Sequence, residues 1–187
     1  MTPPVPAARR TMAARAWRSA GVAVLAALAL AACAAAPTRA AESAQDRVFV
    51  VVRHAEKAGD GTDPGLSEAG QRRAARLAAR LVDAPVIAVH ATGLRRTRDT
   101  VAPTARAHGL PLATYDAHEP APLLVARLLA SQRPGVVLVA GHSNTVPEIV
   151  AALCRCAVPP MPEHEFDRIS TVSIDAAGCA RLRIEHD

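Results

Sequence analysis

Two histidines and an arginine-rich segment supply the residue types in this sequence that suit chemistry on an anion. One histidine lies in Arg53-His54-Ala55 and the other in Gly141-His142-Ser143, and each follows an apolar run. The segment 92–100 contains three arginines. A guanidinium group is planar and permanently charged, and it can hold two phosphate oxygens at once. An imidazole can act as a nucleophile. The three segments together therefore predict a site for a phosphoryl group.

Alternating strands and helices are predicted to bring these segments together. Strands are indicated at 47–52, 86–89, 112–115 and 136–140, helices from the Ser67 cap to Val82 and over 95–107, 121–131 and 146–154, and a hairpin at 171–174 and 181–184. The run VFVVV at 48–52 is typical of a strand buried on both faces. Thr145 and Glu148 have the spacing of a capping box, with Thr145 as the cap of the last helix. We predict an α/β fold, a three-layer α/β/α sandwich with a mostly parallel central sheet. Ligands of such sheets bind beyond the carboxyl ends of the strands.

The composition limits the partners that this chain can have. Only four residues are aromatic, so the core must be built from aliphatic side chains. The net charge of +5 comes largely from four arginines in residues 1–18, a stretch that contains no acid. The other 18 basic residues face 17 acidic ones, which leaves +1. Because no basic stripe interleaved with aromatic residues exists, we expect no nucleic-acid partner.

These motifs resemble those of the histidine phosphatase superfamily, which includes phosphoglycerate mutases and acid phosphatases. Arg53-His54-Ala55 resembles the Arg-His-Gly motif of that family, with alanine in place of glycine. Segment 92–100 resembles its Ser-Pro-Leu-x-Arg-x-x-x-Thr pattern, which aligns the catalytic arginine with Arg96 rather than Arg95. Gly141-His142-Ser143 is similar to its second histidine motif, and 66–70 is similar to its Leu-Thr-x-x-Gly turn. The resemblance covers about residues 47–185.

The resemblance implies a phosphoglycerate mutase-like fold and a phosphatase that acts on phosphate monoesters or phosphoramidates. His54 would be the nucleophile that forms a phosphohistidine, and Arg53, Arg96 and His142 would hold the phosphoryl oxygens. By the same resemblance, neither a metal nor another cofactor is needed. Lys57 and Asn144 are further candidates for substrate binding.

The general acid is left open between two carboxylates and none. Asp116 directly follows a predicted strand and is slightly favoured over Glu119. Either one could instead be a turn residue or a solvated charge. Small relatives that act on phosphoramidates can manage without a dedicated acid, because the phosphoramidate bond breaks easily.

Two other functions compete with a phosphatase. One is a non-catalytic, anion-binding envelope lipoprotein that uses the same cationic groups, and the other is a metal-binding envelope protein that uses the seven histidines.

Only 31 residues separate Gly109 from Gly141, which leaves no room for a cap domain. We therefore expect an open pocket whose partner is a phosphorylated small molecule or a phosphate on a bulky carrier.

The amino terminus has the pattern of an export signal. Residues 1–18 are basic and 21–32 are apolar, and the apolar run is too short to span the ~30 Å hydrocarbon core of a bilayer. Leu30-Ala31-Ala32-Cys33 resembles a bacterial lipobox. We predict a signal peptide at 1–32, a tether at 33–46 and the histidine phosphatase domain at 47–187. The protein would face the periplasm from the outer membrane, held by its lipid anchor alone, or be soluble there after cleavage near Ala40.

Three cysteines follow the predicted lipidation site. Export implies an oxidising compartment, in which disulfides persist. Cys154 and Cys156 lie two residues apart at a predicted helix end, which is expected to be a poor geometry for bonding each other. Either one could pair with Cys179, and three small buried thiols are an equal alternative.

We predict that Cys33 is the lipidated first residue of the mature protein. The reason is the position of Leu30-Ala31-Ala32-Cys33 directly after the apolar run. Mass spectrometry of the native amino terminus should find a diacylglyceryl cysteine. An unmodified terminus near Ala41 would rule lipidation out.

Overall fold

Six strands and four helices alternate along the part of the chain that the structure, a computed structural model, describes, residues 46–130 and 133–187. The strands are β1 Arg47–Arg53, β2 Val86–Thr92, β3 Leu112–Tyr115, β4 Gly135–Gly141, β5 Arg168–Ile174 and β6 Ala180–His186. The helices are α1 Glu68–Arg80, α2 Arg95–Ala107, α3 Ala121–Ala130 and α4 Thr145–Cys154. None of the described helices is both long and apolar enough to cross a membrane. The predicted signal peptide, Cys33 and nearly all of the tether lie outside the described residues.

One sheet contains all six strands, in the order β3-β2-β4-β1-β5-β6. The four strands from β3 to β1 are parallel to one another, whereas β5 pairs antiparallel with β1 and β6 pairs antiparallel with β5. The sheet is therefore mixed. Its parallel part is the α/β core that the alternation predicted, and its antiparallel edge is the predicted hairpin.

Helices cover both faces of the sheet, and β1 contributes to a core on each side. Val48, Val50 and Val52 belong to the core formed with α1 and α2. Phe49 and Val51 belong to the core formed with α3 and α4. Because successive side chains of a strand point to opposite faces, a strand buried on both sides needs an unbroken apolar run. The predicted three-layer sandwich is confirmed.

The start of α1 is fixed against the chain that follows β1. Ser67 caps the helix, because its side chain accepts a hydrogen bond from the Gly70 amide at 3.1 Å. The Ser67 amide in turn donates to the Glu56 carbonyl at 2.9 Å. A Cβ atom on Gly70 would lie 2.3 Å from that same carbonyl oxygen. Position 70 therefore needs glycine because the backbone of residue 56 packs directly on it.

Two local expectations were wrong at the ends of α4. The sequence predicts Thr145 as the helix cap with Glu148 as its reciprocal partner, but the cap is Asn144 and makes no side-chain bond to the helix. Thr145 Oγ1 instead accepts a hydrogen bond from the His142 amide at 2.9 Å, which closes the turn after β4.

At the other end of α4, Cys154 and Cys156 form a disulfide. The expectation that these two cysteines would not bond each other overlooked the backbone of the residue between them. Arg155 adopts the left-handed conformation, with φ 54° and ψ 39°, and the two Cα atoms come to 5.2 Å. That separation is within the normal range for a disulfide.

We predict that Gly70→Ala destabilises the fold, because the added methyl group must push the backbone of Glu56 away. Overpacking of this kind costs about 1–3 kcal/mol. Urea unfolding followed by circular dichroism should show a lower midpoint. Gly93→Ala is the matched control, since a Cβ atom there meets only a Thr114 methyl group at 3.9 Å. Equal midpoints for the two variants would contradict the packing argument.

Candidate active site

The paired ends of β1 and β4 bring the two histidine motifs together. In the parallel register Arg53 lies opposite Gly141, and the His54 amide donates to the Gly141 carbonyl at 2.9 Å. The residue that follows each of these two strands is a histidine, so both histidines lie at the same edge of the sheet. The rings of His54 and His142 have their centroids 5.5 Å apart and lie edge to face.

Contacts of its ring and backbone hold His54 in one orientation. The ring Nδ1 lies 2.8 Å from the Ala55 carbonyl oxygen. Since a carbonyl can only accept, Nδ1 carries the proton and Nε2 has the free lone pair. Burial, together with the charges of Arg53 and Arg96, lowers the pKa of His54 to about 4. The Ala55 amide is fixed by a bond to Thr100 Oγ1 at 2.9 Å. At neutral pH the ring is therefore neutral, and its orientation is fixed.

A chain of buried threonine hydroxyls orients His142. Thr97 Oγ1 lies 2.8 Å from the Leu94 carbonyl, to which it donates, and 2.6 Å from Thr92 Oγ1. Thr92 therefore donates to Thr97 and can accept from His142 Nε2 at 3.1 Å. Burial, together with the charges of Arg96 and Arg53, lowers the pKa of His142 to about 4. This histidine is also neutral while no anion is present.

The Arg53 guanidinium is held by the segment between α4 and β5. Nη1 donates to the carbonyls of Pro162, Glu163 and Glu165 at 2.6–3.2 Å. Nη2 donates to the Glu163 carboxylate at 2.8 Å. The guanidinium carbon lies 4.2 Å from the centre of the Phe166 ring. Nε is buried and has no hydrogen-bond partner. These contacts fix the plane of the guanidinium beside His54.

Arg96 and Arg95 point to different places. Arg96 lines the same cavity as the two histidines, and its side chain makes no hydrogen bond or ion pair within residues 46–130 and 133–187. Arg95 is exposed and lines a separate depression with Gly65 and Asp99. Of Arg95 and Arg96, the structure therefore brings only Arg96 to the site, as the resemblance implies.

The cavity has a volume of about 480 Å³ and takes side chains from several loops. Its lining includes the predicted residues Arg53, His54, Lys57, Arg96, His142 and Asn144, together with Ser143, Thr62, His118 and Glu163. The Lys57 ammonium group lies 2.7 Å from the Asp60 carboxylate, so its charge is already paired.

Neither predicted general acid is among the residues that line this cavity. Asp116 is exposed, and its carboxylate accepts a bond from the His118 amide at 2.9 Å, as turn residues do. Glu119 forms an ion pair with Arg127. The structure thus uses both carboxylates to shape and fix the loop after β3.

Two ionisable residues that the motifs did not indicate also line the cavity, Glu163 and His118. Glu163 lies in the proline-rich segment after α4, which has no periodicity to indicate its position. His118 lies between the two carboxylates that were considered. Of the stretch 116–119, Ala117 and His118 line the cavity and the two carboxylates do not.

A possible metal-ligand cluster lies outside the cavity. Glu165, Asp167 and His186 offer ligand atoms within 4.8 Å of one another. Both carboxylate oxygens of Glu165, however, accept hydrogen bonds from the nearly buried Arg168. The cluster therefore serves to anchor the start of β5 behind the segment that holds Arg53.

Solved structures of phosphatases share this fold. The protein histidine phosphatase SixA in complex with tungstate is 23% identical with a TM-score of 0.63, and the match covers 74% of this chain and 96% of that one. A mycobacterial glucosyl-3-phosphoglycerate phosphatase is 17% identical with a TM-score of 0.57, covering 75% and 98%. A mycobacterial hydrolase is 20% identical with a TM-score of 0.59, covering 76% and 99%.

Sequence comparison matches part of the chain to one family. No curated protein sequence matches the chain. Residues 49–118, which include the first histidine motif and the arginine segment, match the histidine phosphatase superfamily (branch 1). That match spans 70 of the 187 residues, and over this stretch the chain is similar to the histidine phosphatase superfamily, in agreement with the fold that it shares with the solved phosphatases.

Proposed function

We propose that this protein is a phosphatase that hydrolyses phosphate monoesters or phosphoramidates through a phosphohistidine on His54. The observation that carries the proposal is the state of that ring. Its Nδ1 is committed to the Ala55 carbonyl, and its low pKa keeps the Nε2 lone pair free. His54 lines a cavity together with Arg53 and Arg96.

In the first step Nε2 of His54 attacks phosphorus, and the bond to the leaving group breaks with its electron pair. The developing negative charge lies on the phosphoryl oxygens, next to Arg53, Arg96 and His142. Donors that are already oriented stabilise such charge without reorganising during the reaction. A bound phosphoryl dianion also favours the protonated form of His142, because it offsets the repulsion from the two arginines.

In the second step water attacks the phosphorus of phosphohistidine, and the N–P bond breaks. Orthophosphate leaves, and the electron pair of that bond returns to Nε2 of His54. Dividing one displacement into two replaces one difficult step by two easier ones. The Ala55 carbonyl keeps Nδ1 protonated throughout, so the ring never turns away from the reacting phosphorus.

The residues of the cavity bear on the choice between esters and phosphoramidates. Asp116 and Glu119 are outside the lining, and the pKa of Glu163 is lowered by its hydrogen bond from Ser143 and by Arg53. A carboxylate that stays ionised cannot protonate an alkoxide leaving group. A phosphoramidate whose nitrogen is already protonated needs no such acid. The site thus favours phosphoramidates and esters with acidic leaving groups.

We also propose that the enzyme works outside the cytoplasm, as an envelope lipoprotein. The amino-terminal pattern of the sequence is the main support. The Cys154–Cys156 disulfide adds to it, since disulfides persist in oxidising compartments such as the periplasm.

We predict that His54→Ala abolishes hydrolysis of p-nitrophenyl phosphate and leaves folding unchanged, because the ring supplies the nucleophile at the end of a strand. Incubating the wild-type protein with labelled substrate and quenching it in base should trap acid-labile phosphate on His54 by peptide mapping.

The control for this experiment is His164→Ala, since His164 is exposed and outside the cavity lining. It should retain activity. Phosphate trapped on His142 instead would reverse the two roles, and phosphate binding without any turnover would support the anion-binding alternative.

We predict that Arg96→Lys lowers kcat by about 10²–10³, as expected when one oriented donor to the transition state is lost. Lysine keeps the charge but lacks the planar fork that holds two oxygens. Arg95→Lys is the matched control and should change kcat less than about twofold, since surface charges contribute little. Steady-state kinetics of the two variants decide between the two arginines. A large loss of kcat in Arg95→Lys would show that the arginine assignment is off by one residue.

A further inference from the structure

The Glu163 carboxylate occupies groups that a phosphoryl anion needs. One of its oxygens accepts from Arg53 Nη2 at 2.8 Å, and the other accepts from the Ser143 hydroxyl. Arg53 adjoins His54, and Ser143 adjoins His142 in the chain. Without a substrate, an internal anion therefore lies across the entrance to the phosphoryl site.

The carboxylate is easily displaced, but it cannot move far. The Glu163 side chain is 82% exposed, so releasing it into water costs little. The backbone of the same residue is fixed, because its carbonyl oxygen accepts from Arg53 Nη1 at 2.6 Å. When a phosphoryl group takes the place of the carboxylate on Arg53, the charge stays within one side-chain length of the bound substrate.

No other acidic residue lines the cavity within the described part of the chain. The remaining charged lining residues are Arg53, Arg96 and Lys57, and Lys57 is paired with Asp60 at 2.7 Å. Glu163 is ionised at neutral pH, since the Ser143 hydrogen bond and Arg53 lower its pKa. When a phosphoryl group takes its place on Arg53, the Glu163 carboxylate is therefore the one negative side-chain charge among the described lining residues that the substituent of the phosphate must face.

We propose that Glu163 determines specificity by repelling substrates that carry a carboxylate beside the phosphate and by admitting those whose leaving group is neutral or cationic. This rests on the proposed function, since it takes the phosphoryl group to lie between Arg53, Arg96 and the two histidines. Phosphorylated nitrogen bases belong to the admitted class, and phosphoglycerate-type compounds belong to the repelled one.

Isothermal titration calorimetry on the purified full chain tests this with a matched pair of ligands. Glycerol 3-phosphate and 3-phosphoglycerate differ in a hydroxymethyl group against a carboxylate. The wild-type protein should bind glycerol 3-phosphate more tightly. Glu163→Gln should tighten both ligands and reduce the ratio of the two Kd values about fivefold, the size expected for like charges in contact across water.

Two further variants separate charge from structure. Glu163→Asp keeps the charge and should keep the preference of the wild-type protein. Glu148→Gln removes an exposed acid of α4 that is outside the cavity lining and should change neither Kd. Adding NaCl should reduce the ratio for the wild-type protein and leave that of Glu163→Gln unchanged, because salt screens exposed charges.

Several results would overturn the inference. An unchanged ratio in Glu163→Gln would remove the repulsive role. Equal weakening of both ligands would mean that Glu163 only positions Arg53. Binding is measured without turnover, so the two proposals can fail separately. If the ratio of the two Kd values changes as expected in a protein that hydrolyses no phosphate, this inference stands and the proposed phosphatase activity is wrong.

Discussion

The parallel pairing of β1 with β4 is the constraint on which the site depends. Each strand is an unbroken aliphatic run buried between two helical layers, and Arg53 lies opposite Gly141. A slip of one residue would exchange the faces of every side chain in β1, so that Phe49 would leave the core that it shares with α3 and α4. Core packing thus fixes the register. The register in turn fixes the 5.5 Å between the rings of His54 and His142.

Gathering cations in a half-buried cavity creates a repulsion that the fold must manage. The fold keeps both imidazoles neutral, because burial and the charges of Arg53 and Arg96 lower their pKa values to about 4. It also surrounds the Arg53 guanidinium with three carbonyls and the Glu163 carboxylate. Arg96 alone among these groups has no side-chain partner in the described residues. The site is therefore oriented in advance, and in the proposed function a phosphoryl anion supplies the charge that is missing.

The sequence was sufficient wherever a strong local pattern coincides with the fold. β-Branched runs predicted the strands, and the spacing from Leu94 to Thr100 selected Arg96. Prediction from the sequence failed where a side chain contacts residues far away in the chain, or where the conformation of one residue determines which groups meet. Thr145 closes the turn after β4 instead of capping α4, and the left-handed Arg155 lets Cys154 reach Cys156. Glu163 reaches the site from an irregular segment that no periodicity describes, and its position depends on contacts with residues about 110 positions away.

The few aromatic residues show where the fold needs rigidity. Only four occur in the sequence, and two of the three in the described residues adjoin the site. Phe166 stacks on the Arg53 guanidinium, and its ring centre lies 6.1 Å from that of His54. The Tyr115 hydroxyl donates to the Ala140 carbonyl at 2.9 Å and would lie 3.0 Å from a Cβ atom on Gly141. The same Cβ atom would lie 2.8 Å from Thr145 Oγ1, and these two contacts account for the glycine before His142. Aliphatic side chains fill the core, and rings are used where the direction of one functional group matters.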